Sequence, residues 1–198
     1  MHKTVFQLFQ ELRNPPKNWS KITDVAIKKN YKKNDVICRA GLHPEYLFYI
    51  ESGVVRKYIT DSLGKEYNKF LFSSNHVVVS LTAISTKKTS NFNIECLTDV
   101  TLYEIPYSKL RNILKNDLEL CNLYTDMLHH FFVIMEESEV EKVLLEAKDS
   151  YSNFLERYPD IINKIPLFHI ASYLGITPIQ LSRIRSNIKK NQNNMEAK

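Results

Sequence analysis

The residues best placed to do chemistry in this chain are hydrogen-bond donors at helical spacing near its C-terminus. In the run TPIQLSRIRSNIKK, Ser182, Arg183, Ser186, Lys189 and Lys190 fall away from Leu181, Ile184 and Ile188. Apolar residues at i, i+3 and i+7 mark the buried side of a helix, which leaves the donors on the outer side. Short and cationic side chains there let a helix enter a major groove about 12 Å wide and meet base edges. Arg183 has the fork to bond the O6 and N7 edge of one guanine, and Ile179 suits a thymine methyl. Ser182, Ser186, Lys189 and Lys190 suit phosphates, which position a protein without reading sequence. This is binding chemistry. The sequence shows no Ser/His/Asp set and no paired-carboxylate cleft, and four glycines are too few for a phosphate-cradling loop. No catalytic residue, cofactor or metal site is expected.

The elements that must position these donors are written into the flanking residues. Thr177 is a natural N-cap, Pro178 suits the first helical position, and Gln180 stands where a capping box needs its second arm. Upstream, Leu167–Leu174 carries Ile170, Ala171 and Leu174 on one face, and Gly175 supplies the positive φ that ends a helix. Helix, three-residue turn with a glycine, helix is the helix-turn-helix layout. A plain αα-hairpin with a solvated face has the same pattern, but charge separates the two. Residues 164–198 hold six basic side chains against Glu196, so the chain's whole excess of +5 lies there. That is the footprint of a surface that meets phosphates. Thr177, Ile179, Gln180, Ser182, Arg183, Ser186, Lys189 and Lys190 are the candidate DNA-binding residues, with Gln180 partly committed to the cap.

IASYLGIT followed by LSRIR resembles the C-terminal helix-turn-helix of the Crp/Fnr family of bacterial transcription regulators, in the branch without a cyclic-nucleotide signature. The resemblance implies an α+β chain: an N-terminal β-roll or jelly roll, a long dimerisation helix and a C-terminal helix-turn-helix domain. The boundaries fall at 1–116, 117–140 and 141–198. Independently of the resemblance, short alternating runs predict strands at 26–31, 36–39, 46–51, 54–61, 66–72, 77–80, 92–97 and 101–105. Eight strands at this spacing favour a sandwich or jelly roll. The stretch YLFYIESGVVRKYITDSLGKE is similar to the family's β-roll hairpins.

Cyclic-nucleotide members carry a Gly-Glu pair for the ribose and an Arg-Ser pair for the phosphate. Here those positions fall near Val79-Ser80 and Ser90-Asn91, so no buried cation is expected to meet a phosphate. Desolvating a phosphodiester without one is costly. Ser80, Ser90 and Asn91 are the candidate effector pocket, for an unknown small molecule or none; Lys87 and Lys88 nearby read as a solvated loop tip. A cupin-like metal enzyme would need at least three ligands, whereas His43 and His76 stand singly. An iron–sulfur cluster needs four clustered cysteines, and Cys38, Cys96 and Cys121 are three and scattered. Whether they have a redox role is left open.

Helical texture returns from Tyr107. Asn116-Asp117 caps a long helix in which Leu120, Leu123, Met127, His130 and Ile134 follow 3-4 spacing; with apolar Phe131–Val133 this predicts a second neighbour, which the resemblance makes a homodimer seam and a helix buried within one subunit would also supply. A further helix over 141–157 leads to the helix-turn-helix, and the polar tail after Ile188 reads as disordered. Near the N-terminus, Val5 to Leu12 predicts a short helix. No membrane span or signal-peptide pattern is read, so the chain is expected to be cytoplasmic. Its expected partners are double-stranded DNA, a second copy of itself and, by the resemblance, RNA polymerase. The function expected is a regulator that binds a near-palindromic operator as a homodimer without cAMP. A ligand- or protein-binding regulator whose helix-turn-helix no longer reads DNA stays open, because Pro178 and Ile179 stand where polar readers usually lie.

Overall fold

The computed structural model describes residues 17–196; the expected helix over Val5–Leu12 lies outside them. The chain separates into two compact units, residues 1–136 and 137–198. In the first, alternating runs form β1 (Ile27–Tyr31), β2 (Val36–Cys38), β3 (Tyr46–Ser52), β4 (Val55–Thr60), β5 (Glu66–Phe72), β6 (Val77–Val78), β7 (Asn93–Cys96) and β8 (Val100–Pro106). Each lies where the sequence predicts a strand, with ends moved by at most two residues. They assort into two antiparallel sheets, β1-β8-β3-β6 and β2-β7-β4-β5. Ile50, Val78 and Leu102 of one sheet bury against Val55, Phe72 and Ile94 of the other. Alternation along each strand puts these residues on one face, and joining the two faces makes the sandwich. Gly53, which turns β3 into β4, has φ +99, and a Cβ there would lie 2.5 Å from the carbonyl oxygen of Asp99. Only glycine fits that crossing.

Helices close one side of this roll: α1 (Ser20–Thr23), α2 (Leu81–Thr86), α3 (Tyr107–Lys115) and the start of α4 (Leu118–Leu144). Ile22, Leu47, Ile105, Leu110, Leu114 and Leu120 make a second core between helices and sheet. Asp117 caps α4, its Oδ1 accepting the Leu120 N–H at 3.2 Å, while Lys21 and Asn18 donate to Oδ2 at 2.9 and 2.7 Å. The helix runs four residues past the expected end at 140. Its acidic run, Glu136 to Glu141, contains neither Gly nor Pro, and Glu is a good helix former.

The second unit holds α5 (Ala147–Arg157), α6 (Leu167–Leu174) and α7 (Pro178–Glu196). Tyr151, Phe154, Ile161, Ile165, Ile170, Ala171 and Leu181 are its buried apolar residues. Phe154, Tyr158 and Tyr173 stack in a triangle with centroids 5.2–6.0 Å apart. Arg157 pairs with Glu141 at 2.8 Å. The helix α7 spans Pro178–Glu196, so it runs past Ile188. No Gly or Pro follows Pro178, and Lys, Gln, Met and Glu all extend a helix at little cost. Among the described residues no helix is long and apolar enough to cross a membrane.

Candidate nucleic-acid interface and β-roll pocket

The turn between α6 and α7 is built as the sequence implies. Gly175 ends α6 in the left-handed region at φ 71, and the Ile176 N–H reaches the Ala171 carbonyl at 3.0 Å. Both arms of the capping box close: Gln180 N–H donates to Thr177 Oγ1 at 3.2 Å, and Thr177 N–H donates to Gln180 Oε1 at 2.9 Å. The Thr177 hydroxyl also donates to that Oε1 at 3.0 Å. A cap of this kind is worth about 1 kcal/mol and fixes where the helix begins. Leu181 is fully buried on Ile170 and Ala171's side of the unit, with Ile184 and Ile188 half-buried.

The opposite face is open. Thr177, Gln180, Ser182, Arg183, Ser186 and Lys190 are exposed, and Ile179 is 66% exposed. The Lys189 side chain lies outside the described ones. Gln180 is spent on the cap, so Arg183 is the long donor left free to reach outward from the middle of this face. Arg185 is half-buried beside Tyr151, where it opposes the rise that burial imposes on the tyrosine hydroxyl's pKa. It therefore belongs to the core side of the helix.

In the β-roll, Ser80 and Ser90 do come together. Both are buried, and the Ser90 hydroxyl donates to Ser80 Oγ at 2.8 Å and accepts the Phe92 N–H at 3.0 Å. Asn91 is exposed and is no part of their enclosure, because the chain bends there before β7 begins. No cation stands at Ser90-Asn91, but a buried one that the sequence pattern alone did not single out lies close by. Lys57 of β4 is only 6% exposed, and its Nζ donates to the Val79 carbonyl at 3.1 Å. Nζ also lies 4.2 Å from the Phe92 ring centroid and 5.5 Å from that of Phe70. Burial pulls its pKa from 10.5 down to about 8, and the Cys38 thiol beside it pulls weakly the other way. Cys38 is itself raised by burial, with Ser90 and Lys57 opposing. One signal in the sequence pointed here: two adjacent cations, Arg56 and Lys57, inside an apolar strand. Arg56 is buried as well, but it bonds Glu95, Glu66 and Asn68.

The face expected to form a dimer seam is partly used within the chain. Leu120 is 0% exposed inside the second core, and Leu123 packs against that core. Met127, His130 and Ile134 are half-buried, and Phe131 meets Phe70 with centroids 5.9 Å apart. Leu120 is thus unavailable to a partner. The apolar residues that α4 leaves open lie further along: Phe132 (69% exposed), Val133, Val140, Val143 (81%) and Leu144. Steps of seven and three from Val133 to Val140 to Val143 keep them near one stripe.

Residues 28–117 match the family model described as the cyclic nucleotide-binding domain. No curated protein sequence is significantly similar to the chain. Among solved structures, FixK2 from Bradyrhizobium japonicum superposes with a TM-score of 0.72 at 18% identity, covering 85% of this chain and 86% of its own. A protein from Eubacterium rectale, described as a transcriptional regulator of the Crp/Fnr family, gives 0.67 at 21% identity over 94% and 88%. A CooA variant from Carboxydothermus hydrogenoformans gives 0.66 at 16% identity over 96% and 86%.

Proposed function

Starting from a domain of the cyclic nucleotide-binding family set in the fold of the Crp/Fnr regulators, we propose that this protein is a cytoplasmic transcription regulator that binds a near-palindromic operator as a homodimer. The observation that carries the reading is α7: capped at Thr177, anchored by Leu181, and presenting Ser182, Arg183 and Ser186 outward from a short glycine turn. A helix held at its start and open on one face is what major-groove reading needs. Two such helices related by a two-fold axis read two half-sites. The open apolar stretch Phe132–Leu144 supports self-association, since a long helix with exposed valines, Phe and Leu loses free energy in water.

Regulation by cAMP or cGMP is not part of this proposal. By the resemblance Ser80 falls where the ribose acid would be, and its hydroxyl accepts a hydrogen bond from Ser90 instead. Selecting bound sequences from a random duplex pool tests the reading. A two-fold operator, bound with a steep loss of affinity as salt rises, is the expected result. Recovery of no sequence, with no salt-dependent binding to bulk duplex, would leave a regulator whose exposed Ile179 and neighbours no longer read DNA.

A further inference from the structure

Lys87 and Lys88 are exposed, as a solvated tip would be, and their backbone is ordered by the end of α2. Lys87 is held in the left-handed region at φ 56, and the Lys88 N–H closes the end of α2 on the Ala83 carbonyl at 3.0 Å. A non-glycine residue keeps that conformation only when its surroundings hold it. Together with Arg111 and Lys115 of α3, the two lysines line a cleft of about 980 Å³ on the β-roll unit. None of these four cations makes an ion pair among the described residues, and Glu45 is the one carboxylate on the lining. All four are exposed, so water and salt screen them, and an anion in the cleft gains from those of the four it reaches.

The remaining walls say what else the ligand carries. Leu81, Ile84 and Leu128 give an apolar side. Tyr107 and Tyr124 add hydroxyls, and burial together with the neighbouring Tyr107 raises the Tyr124 pKa to about 12, so it stays a neutral donor. At about 980 Å³ the cleft is wide enough to admit a small molecule. Ser80 and Ser90 do not line it, so it is separate from the β-roll pocket.

We infer that this cleft binds a small phosphorylated molecule, its phosphates among Lys87, Lys88, Arg111 and Lys115 and its ring or apolar part against Leu81, Ile84 and Leu128. The inference stands on the first unit alone and does not require the protein to bind DNA. Calorimetry on the full chain tests it, at about 0.15 M salt so that distant surface charges are screened. The probes are ATP without divalent metal, and pyrophosphate. ATP should bind once per chain, roughly tenfold or more tighter than pyrophosphate, because only ATP reaches the apolar wall. The double variant Arg111→Gln, Lys115→Gln should weaken ATP at least about tenfold, since it removes two charge-assisted partners. Both side chains are exposed, and an unchanged thermal melt confirms that the variant is folded. Arg183→Ala, in the other unit, should leave ATP binding as it is. Silence toward ATP at millimolar concentration, equal affinity for ATP and pyrophosphate, or full binding by the double variant each overturns the assignment. So does loss of ATP in Arg183→Ala, which would place the anion on the helix-turn-helix.

Discussion

Replacing Lys57 by Met should stabilise the protein at neutral pH, and the gain should vanish in alkali. The ammonium is buried among Phe92, Phe70 and Cys38 with one carbonyl partner and no carboxylate. Its pKa falls from 10.5 to about 8 on folding, which corresponds to roughly 3 kcal/mol of lost stability wherever the group is charged in both states. Methionine keeps the unbranched stem and removes the charge, while the charge-assisted bond to Val79 O, worth about 1.5 kcal/mol, is lost. The net gain at pH 7 is therefore about 1.5 kcal/mol, or about 3–6 °C in Tm for a chain of this size. Between about 8 and 10.5 the unfolded chain holds the extra proton, so wild-type stability rises with pH and the penalty is relieved. Above about 10.5 the lysine is neutral in both states, and the variant should be slightly the less stable. Urea melts of both proteins at half-unit steps from pH 7 to 11 measure this, repeated in a Cys38→Ser background because that thiol titrates beside Lys57. A Lys57→Met protein less stable than wild type at pH 7, or a difference flat across the range, refutes the argument.

Leu120→Ala should cost about 2–5 kcal/mol of stability, because the side chain is fully buried in the chain's own core. Val140→Glu should instead give a folded monomer by sedimentation, with a melt that no longer depends on protein concentration; a dimer there removes the C-terminal part of α4 from the proposed seam. Arg183→Ala should cost about 1–3 kcal/mol on the selected operator and relax one base pair per half-site, while Lys190→Ala weakens all sequences alike. Equal loss on operator and scrambled DNA would make Arg183 a phosphate contact. Calorimetry with cAMP and cGMP should show no binding at the β-roll pocket; a micromolar dissociation constant that Lys57→Met abolishes would mean that Lys57 supplies the phosphate cation, whereas binding lost in Arg111→Gln, Lys115→Gln belongs to the cleft.

Features of this protein that depend on near neighbours are legible in its sequence. The capping box spans three residues, the Gly175 turn is set by one residue's freedom at positive φ, and the strands follow a two-residue alternation. The exposed face of α7 follows from the same local geometry, because a 3.6-residue period fixes which side chains stand opposite Leu181. Periodicity marks a face, however, and says nothing of what covers it. The 3-4 pattern at Leu120 and Leu123 is real, yet only the packed structure shows it meeting Ile22, Leu47 and Leu114 of its own unit, leaving Phe132 and Val143 open. Lys57 is the sharper case. Adjacent residues of a strand point to opposite faces, so Arg56 and Lys57 cannot both face water if one sheet face is buried. Tertiary structure buries both: Glu95 and Asn68 come from other strands to hold the arginine, and Phe92 and Val79 come to hold the lysine. Those partners lie 12 to 39 residues away along the chain, beyond the reach of any local pattern.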